Sequence, residues 1–121
     1  MYKRQPLAAA AGCATLDVYT SEGLFERALS LEDTFADALH SLKGEPNVID
    51  IRNLGLIGAV ELTPIDGQPT TRAMSIFREC FDKGVIIRTT GDTLAFSPPL
   101  IIDKTQIAIV VDAVRSALQN Q

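Results

Sequence analysis

Apolar positions along the chain switch repeatedly between helical and alternating spacing, and this switching divides the chain into eight elements. From Pro6 to about Tyr19 the run PLAAAAGCATLDVY holds strong helix formers and almost no charge, with Pro6 suited to the first helical position. The pattern predicts a helix without a solvent face, which something must cover on several sides. Thr20 or Ser21 is placed to cap a second helix that runs to about Lys43. In it Ala28, Leu31, Phe35, Leu39 and Leu42 recur at three- and four-residue steps, Glu26, Glu32, Asp33 and Asp37 take the other faces, and Gly44 and Pro46 stop it. Two strand-like runs follow, Val48 to Asn53 and Leu56 to Leu62, interrupted by Gly55 and Gly58.

After an irregular loop marked by Pro64, Asp66, Gly67 and Pro69, Thr70 or Thr71 opens a third helix with Met74, Phe77 and Phe81 on its stripe and Gly84 at its end. Val85 to Thr89 and Thr93 to Phe96 read as a hairpin turned through Thr90, Gly91 and Asp92. Ser97-Pro98-Pro99 ends strand pairing, because proline donates no ladder hydrogen bond. Asp103 and Gln106 form a capping-box start for a last helix from about Lys104 to Leu118, with Ile107, Val110, Val111, Val114 and Leu118 on one face. The order is ααββαββα. It predicts an α+β fold in which helices cover a small, mainly antiparallel sheet.

Composition narrows the classes of function. At 121 residues and 46% hydrophobic content, residues 1–121 make one domain able to form a core without staples. A net charge of -4 and the lack of any basic run longer than Lys3-Arg4 argue against a nucleic-acid partner. The longest apolar stretches, Leu7 to Ala14 and Leu54 to Val60, are too short to span a membrane. Cys13 and Cys80 lie in no metal or redox spacing, and no signal-peptide pattern stands at the start; a cytoplasmic location with free, buried, inert thiols is expected.

Candidate chemistry is sparse. His40 is the single histidine and is expected to be structural or solvated, since no cysteine pair or second histidine completes a metal site. Gly55 and Gly58 match no phosphate-binding motif and read as a tight turn or a close approach of backbone between strands. Glu32, Asp33 and Asp37 read as a solvated helix face. Arg88 stands apart at the end of the apolar run Val85-Ile86-Ile87, before a hairpin loop, where a guanidinium fork suits bidentate binding of a carboxylate. Spacing alone also accommodates an edge-strand arginine in solvent.

Taken in order, Gln5-Pro-Leu-Ala-Ala-Ala-Ala-Gly, Ala14-Thr-Leu-Asp-Val-Tyr with Glu22-Gly-Leu, Ile51-Arg-Asn-Leu-Gly-Leu-Ile-Gly-Ala-Val-Glu-Leu, Gly84-Val-Ile-Ile-Arg-Thr-Thr-Gly-Asp-Thr and Ser97-Pro-Pro-Leu-Ile-Ile resemble the C-terminal part of class III, pyridoxal-phosphate-dependent aminotransferases. The nearest likeness is to the ω-amino-acid:pyruvate (β-alanine:pyruvate) branch, and it covers essentially the whole chain. The resemblance implies the small domain of a fold-type-I enzyme, packed beside a cofactor-binding large domain, absent from this sequence, and completed by a dimer partner. It implies that Arg88 receives the substrate or amino-acceptor carboxylate. The family's Schiff-base lysine, and the aspartate that pairs with the pyridinium nitrogen, lie upstream of where this chain begins.

Relatives carry a Thr-Tyr-Ser-Gly-His-Pro-like lead-in whose threonine helps to hold the cofactor phosphate across the dimer. Here Tyr2 and Pro6 match, but Met1 takes the threonine's place and Gln5 the histidine's. Lys3, Lys43, Lys83 and Lys104 match no catalytic position. The expectation is a domain that binds no pyridoxal 5'-phosphate alone, has no catalytic residues of its own and does not transaminate by itself. Two alternatives remain at this point: a stand-alone module that binds a small carboxylate around Arg88, and an interaction subunit whose first helix pairs with itself or with a full-length aminotransferase. The expected partner is a second copy, most simply in a dimer, or an aminotransferase large domain.

Overall fold

A computed structural model describes residues 5–121. The elements follow in the order α1 (Pro6–Ser21), α2 (Leu24–His40), β1 (Val48–Leu54), β2 (Ile57–Leu62), α3 (Thr71–Asp82), β3 (Arg88–Thr90), β4 (Thr93–Phe96) and α4 (Lys104–Gln119). The strands form one antiparallel sheet in the order β1-β2-β4-β3, so the α+β expectation and the order ααββαββα hold.

The sheet has two unlike faces because side chains alternate across a strand. Gly58, Val60 and Leu62 of β2 and Leu94 and Phe96 of β4 share the buried face. Against them pack Leu31, Phe35 and Leu39 of α2, Ala73, Ile76 and Cys80 of α3, and Ile107, Val111 and Val114 of α4 in a single core. On the opposite face the register sets Arg52, Ala59, Ala95 and Arg88 in one row across all four strands.

Local chemistry moves several boundaries. The hydroxyls of Thr20 and Ser21 do not cap α2; they donate back to the carbonyls of Leu16 and Val18, extending α1. The break falls instead at Gly23, which is left-handed with φ 59°. α2 ends at His40, not Lys43, because the next residues tighten into three-residue turns from Leu42 N to Leu39 O and from Lys43 N to His40 O. Val85 to Ile87 are not ladder strand: continuing the register beyond Arg88 and Ala95 would set Val85 against Pro98, which has no N–H to give.

The stripe of α3 is also offset. Ala73, Ile76 and Cys80 are its buried residues, whereas Phe81 is 56% exposed and Phe77 only partly buried, its ring stacked in a tilted pair with that of Phe81. The capping box of α4 forms as expected, with Gln106 N donating to Asp103 Oδ1 at 2.8 Å and Asp103 N to Gln106 Oε1 at 3.0 Å.

α1 stands outside the core: among the described residues no part of this helix is buried, and Leu7 and Leu16 are exposed. Its anchorage is at the C-terminal end, where Tyr19 packs edge-on against Phe25 of α2 at 5.2 Å between ring centroids. The cover that its composition demands therefore does not come from the domain's own sheet.

Candidate functional site

Arg88 is the first residue of β3, an edge strand of three residues paired only to β4. It stands exposed on the face away from the core, in the row of Arg52, Ala59 and Ala95, while its strand borders on the core side a cavity of about 340 Å³ lined chiefly by apolar residues: Phe35 and Leu39 of α2, Phe96 and Pro98 at the end of β4, and Ile107 and Val111 of α4. Among the described residues it takes part in no ion pair, in contrast to Arg52 in the same row, which binds Asp50 at 2.6 Å and Glu61 at 2.9 Å. Those carboxylates hold the Arg52 guanidinium above its ordinary pKa, chiefly through hydrogen bonds from Arg52 to Glu61 and then to Asp50. Arg115 is likewise engaged, with Glu45 and Ser41. Arg88 thus offers five N–H donors on the exposed side of an edge strand, an arrangement that can hold a carboxylate bidentately.

The hairpin that carries it is tied down at two places. Thr89 Oγ1 lies 3.4 Å from Met74 Sδ of α3, on the buried face. At the turn, Asp92 accepts Leu62 N on its backbone oxygen and Thr70 N on Oδ1, each at 2.9 Å. The sequence shows Gly91-Asp92 only as turn formers; that Asp92 also reaches the entry of α3 needed the fold. On the far side, Arg27 Nη2 donates to the carbonyls of Ile101 at 3.1 Å and Ile102 at 2.8 Å, tying α2 to the segment behind the cavity.

The other candidates resolve individually. His40 Nε2 lies 2.9 Å from Asn53 Oδ1, an exposed link between α2 and β1. Cys80 is fully buried and its thiol is pushed up to about 11 by that burial. Cys13, expected to be buried, is exposed on α1, for the same reason that the whole helix is uncovered. Gly55 is a turn residue at φ 55°, and its N–H donates to Glu32 Oε1 at 3.1 Å, so Glu32 holds the β1-β2 turn and is no merely solvated charge. No cluster of three metal-ligating side chains exists among the described residues, and no helix among them is long and apolar enough to cross a membrane.

The lead-in residues Met1 and Tyr2, together with Lys3, lie outside the described residues; Gln5 sits at the N-cap of α1 without a side-chain cap bond. Lys83 Nζ donates to Ser116 Oγ at 2.7 Å, and Lys43 and Lys104 are exposed at helix ends. None of these three lines the cavity at Arg88.

The fold is a helix-covered antiparallel sheet whose edge strand carries an arginine without an ion pair among the described residues. The sequence identifies the lineage: residues 2–118 match the family model for aminotransferase class-III, and the chain belongs to that family. It is 50% identical over 117 residues to an omega-aminotransferase of Caulobacter vibrioides, covering 97% of this chain and 27% of that protein. To the beta-alanine–pyruvate aminotransferase of Pseudomonas aeruginosa it is 39% identical over 119 residues, covering 98% and 27%. The fold superposes on a transaminase solved with L-ala at a TM-score of 0.86 and 32% identity, over 95% of this chain and 28% of that one. An aminotransferase of Bacillus anthracis gives a TM-score of 0.85 at 29% identity, over 97% and 29%. The chain therefore spans about a quarter of the length of the relatives it matches.

Proposed function

We propose that this chain performs the carboxylate-recognition and subunit-contact work of a class III ω-amino-acid:pyruvate aminotransferase, as the C-terminal small domain of that architecture, and that residues 1–121 do not transaminate by themselves. The observation that carries the reading is Arg88: a guanidinium with no ion pair among the described residues, exposed on an edge strand on the face of the sheet that the helices leave uncovered. The relatives' names, an omega-aminotransferase and a beta-alanine–pyruvate aminotransferase, support substrates that carry a carboxylate. Pyridoxal phosphate serves this family as the electron sink that labilises bonds at the amine carbon. The described residues do not fit that group, since Lys43, Lys83 and Lys104 stand at helix ends away from the cavity, and no step of the chain's proposed work runs through it.

Within this reading Arg88 binds and orients. Two parallel N–H···O bonds fix the plane of a carboxylate. NMR titration with pyruvate, β-alanine and succinate tests it. Because a charged hydrogen bond contributes about 1.5–3 kcal/mol, Arg88→Ala is expected to weaken binding by about ten- to a hundred-fold. Shifts that are equal in the wild type and in Arg88→Ala overturn the assignment.

The uncovered α1 favours the second half of the proposal. Sixteen residues with none buried leave an apolar, alanine-rich surface that a second copy or an aminotransferase large domain would close.

A further inference from the structure

Thr70 adopts φ 69°, ψ -16° at the start of α3, a left-handed conformation that a β-branched residue rarely takes. Its hydroxyl caps nothing, so the conformation is not maintained by an N-cap bond from its own side chain. What meets it is Asp92, whose Oδ1 accepts the Thr70 N–H at 2.9 Å from the tip of the β3-β4 hairpin, 22 residues further along the chain. Strain persists at such a residue only where the surroundings over-determine it. Here they are the hairpin tip and the end of β2, joined by the bond from Leu62 N to Asp92 O.

We propose that Asp92 is a positioning residue for Arg88: its carboxylate, bonded to the strained Thr70 amide, locks the hairpin tip to the entry of α3 and so holds the short edge strand that presents the guanidinium. This rests on the carboxylate-binding reading of Arg88. β3 has three residues and one neighbouring strand, and Arg88 pairs with Ala95 only two positions from the Thr90–Thr93 pair that closes the turn. An edge ladder this short frays readily on its own, with β3 as its outermost strand. Asp92 fastens it at the tip, while at the other end Val85 N donates to Cys80 O at 2.8 Å. Arg88 lies between the two fastenings, so loosening either one widens the range of positions its guanidinium samples.

The test is hydrogen exchange combined with pyruvate titration on this chain and its Asp92→Ala, Asp92→Asn and Arg88→Ala variants. Asp92→Asn keeps an oxygen acceptor for Thr70 N–H, and Asp92→Ala removes it. The proposal predicts that in Asp92→Ala the amides of Thr70 and of β3 exchange about tenfold or more faster, those of Val60 and Val114 keep their protection, and pyruvate binds about three- to tenfold more weakly. Asp92→Asn restores all of these. Adding Arg88→Ala to Asp92→Ala then costs less than Arg88→Ala costs alone, because the two act on one contact. Unchanged β3 exchange in Asp92→Ala overturns the clamp whatever the titration shows. Additive losses overturn its link to Arg88. Faster β3 exchange in Asp92→Ala, together with an Arg88→Ala variant that binds pyruvate as well as the wild type, instead overturns the carboxylate reading, and the positioning role falls with it. If the Asp92→Ala chain unfolds, Asp92→Asn and Thr70→Gly, which relieves the left-handed strain, carry the same comparison: Thr70→Gly is expected to keep β3 protected, and loss of β3 protection in Asp92→Asn overturns the proposal.

Discussion

A β-carbon on Gly58 would lie 2.4 Å from Leu39 Cδ2, with the ring of Phe35 at 3.1 Å and 3.3 Å on its other side. Helix α2 thus rests directly on the backbone of β2, and the glycine is there to let the helix that walls the cavity reach the sheet. Leu39 is fully buried, so a β-carbon at position 58 must push its methyl group against packed neighbours or into the cavity that it lines. Gly58→Ala is expected to destabilise the domain by about 1–3 kcal/mol through overpacking, more than the fraction of a kcal/mol that a stiffer unfolded chain returns. Urea denaturation measures it. In a Leu39→Ala background the same substitution costs less, and strict additivity of the two would show that the close approach is not what the glycine serves.

Glu45 supplies a prediction in pH. Its carboxyl is held below its ordinary value of 4.5, first by the hydrogen bond from Arg115, then by that from Gln119, with the charge of Arg115 adding to both. A depressed folded-state pKa means that the folded chain holds the charged form more tightly than the unfolded chain does. The resulting stability is complete above pH 4.5 and is lost as the pH falls through the depressed folded value. Denaturation midpoints followed from pH 7 down to about pH 3 are therefore expected to fall less steeply for Glu45→Gln than for the wild type. Parallel curves over that window would remove the Glu45–Arg115 contact as a source of acid sensitivity.

Glu32 and Asp33 are neighbours on α2 with different work. Glu32 Oε1 accepts the Gly55 N–H at the β1-β2 turn, and Asp33 is an exposed residue one position on. Glu32→Ala is expected to cost about 0.5–1.5 kcal/mol, the net worth of an ordinary hydrogen bond, and Asp33→Ala close to nothing. Thermal unfolding of the two variants side by side distinguishes them, and equal melting temperatures would leave the turn independent of Glu32.

These residues show where a sequence is readable and where it is not. The spacing of Leu31, Phe35, Leu39 and Leu42 predicts the buried side of α2, and Asp103 with Gln106 predicts the start of α4, because both signals are local and repeat at the helix period. The hairpin at Gly91-Asp92 and the place of Arg88 at the edge of the sheet are local in the same sense. What depends on contact between distant segments is not legible: Glu32 meeting Gly55, Asp92 meeting Thr70, and the cavity closed by Phe35, Phe96 and Val111. The offset stripe of α3 has another cause. Large apolar residues attract the periodicity reading to Met74, Phe77 and Phe81, whereas the space under α3 takes the smaller Ala73 and Cys80 beside Ile76.

α1 yields the remaining prediction. Composition requires cover for this helix, and among the described residues only its last turn finds any, through Tyr19 on Phe25. Ala8, Ala9, Ala10, Ala11 and Gly12 let another helix come close, and a symmetric dimer closes such a face with the fewest components. The chain is expected to dimerise through α1, and Ala9→Glu to dissociate it, because a charge in that seam is left without a partner. Light scattering over a dilution series reads the mass. Thiol labelling reads the surface independently: Cys13 on α1 reacts faster on dilution as the dimer separates, while Cys80, buried and with its thiol pushed up to about 11, reacts only when the fold opens. A monomeric mass at micromolar concentrations, unaltered by Ala9→Glu and accompanied by concentration-independent labelling of Cys13, would leave α1 to a partner other than a second copy.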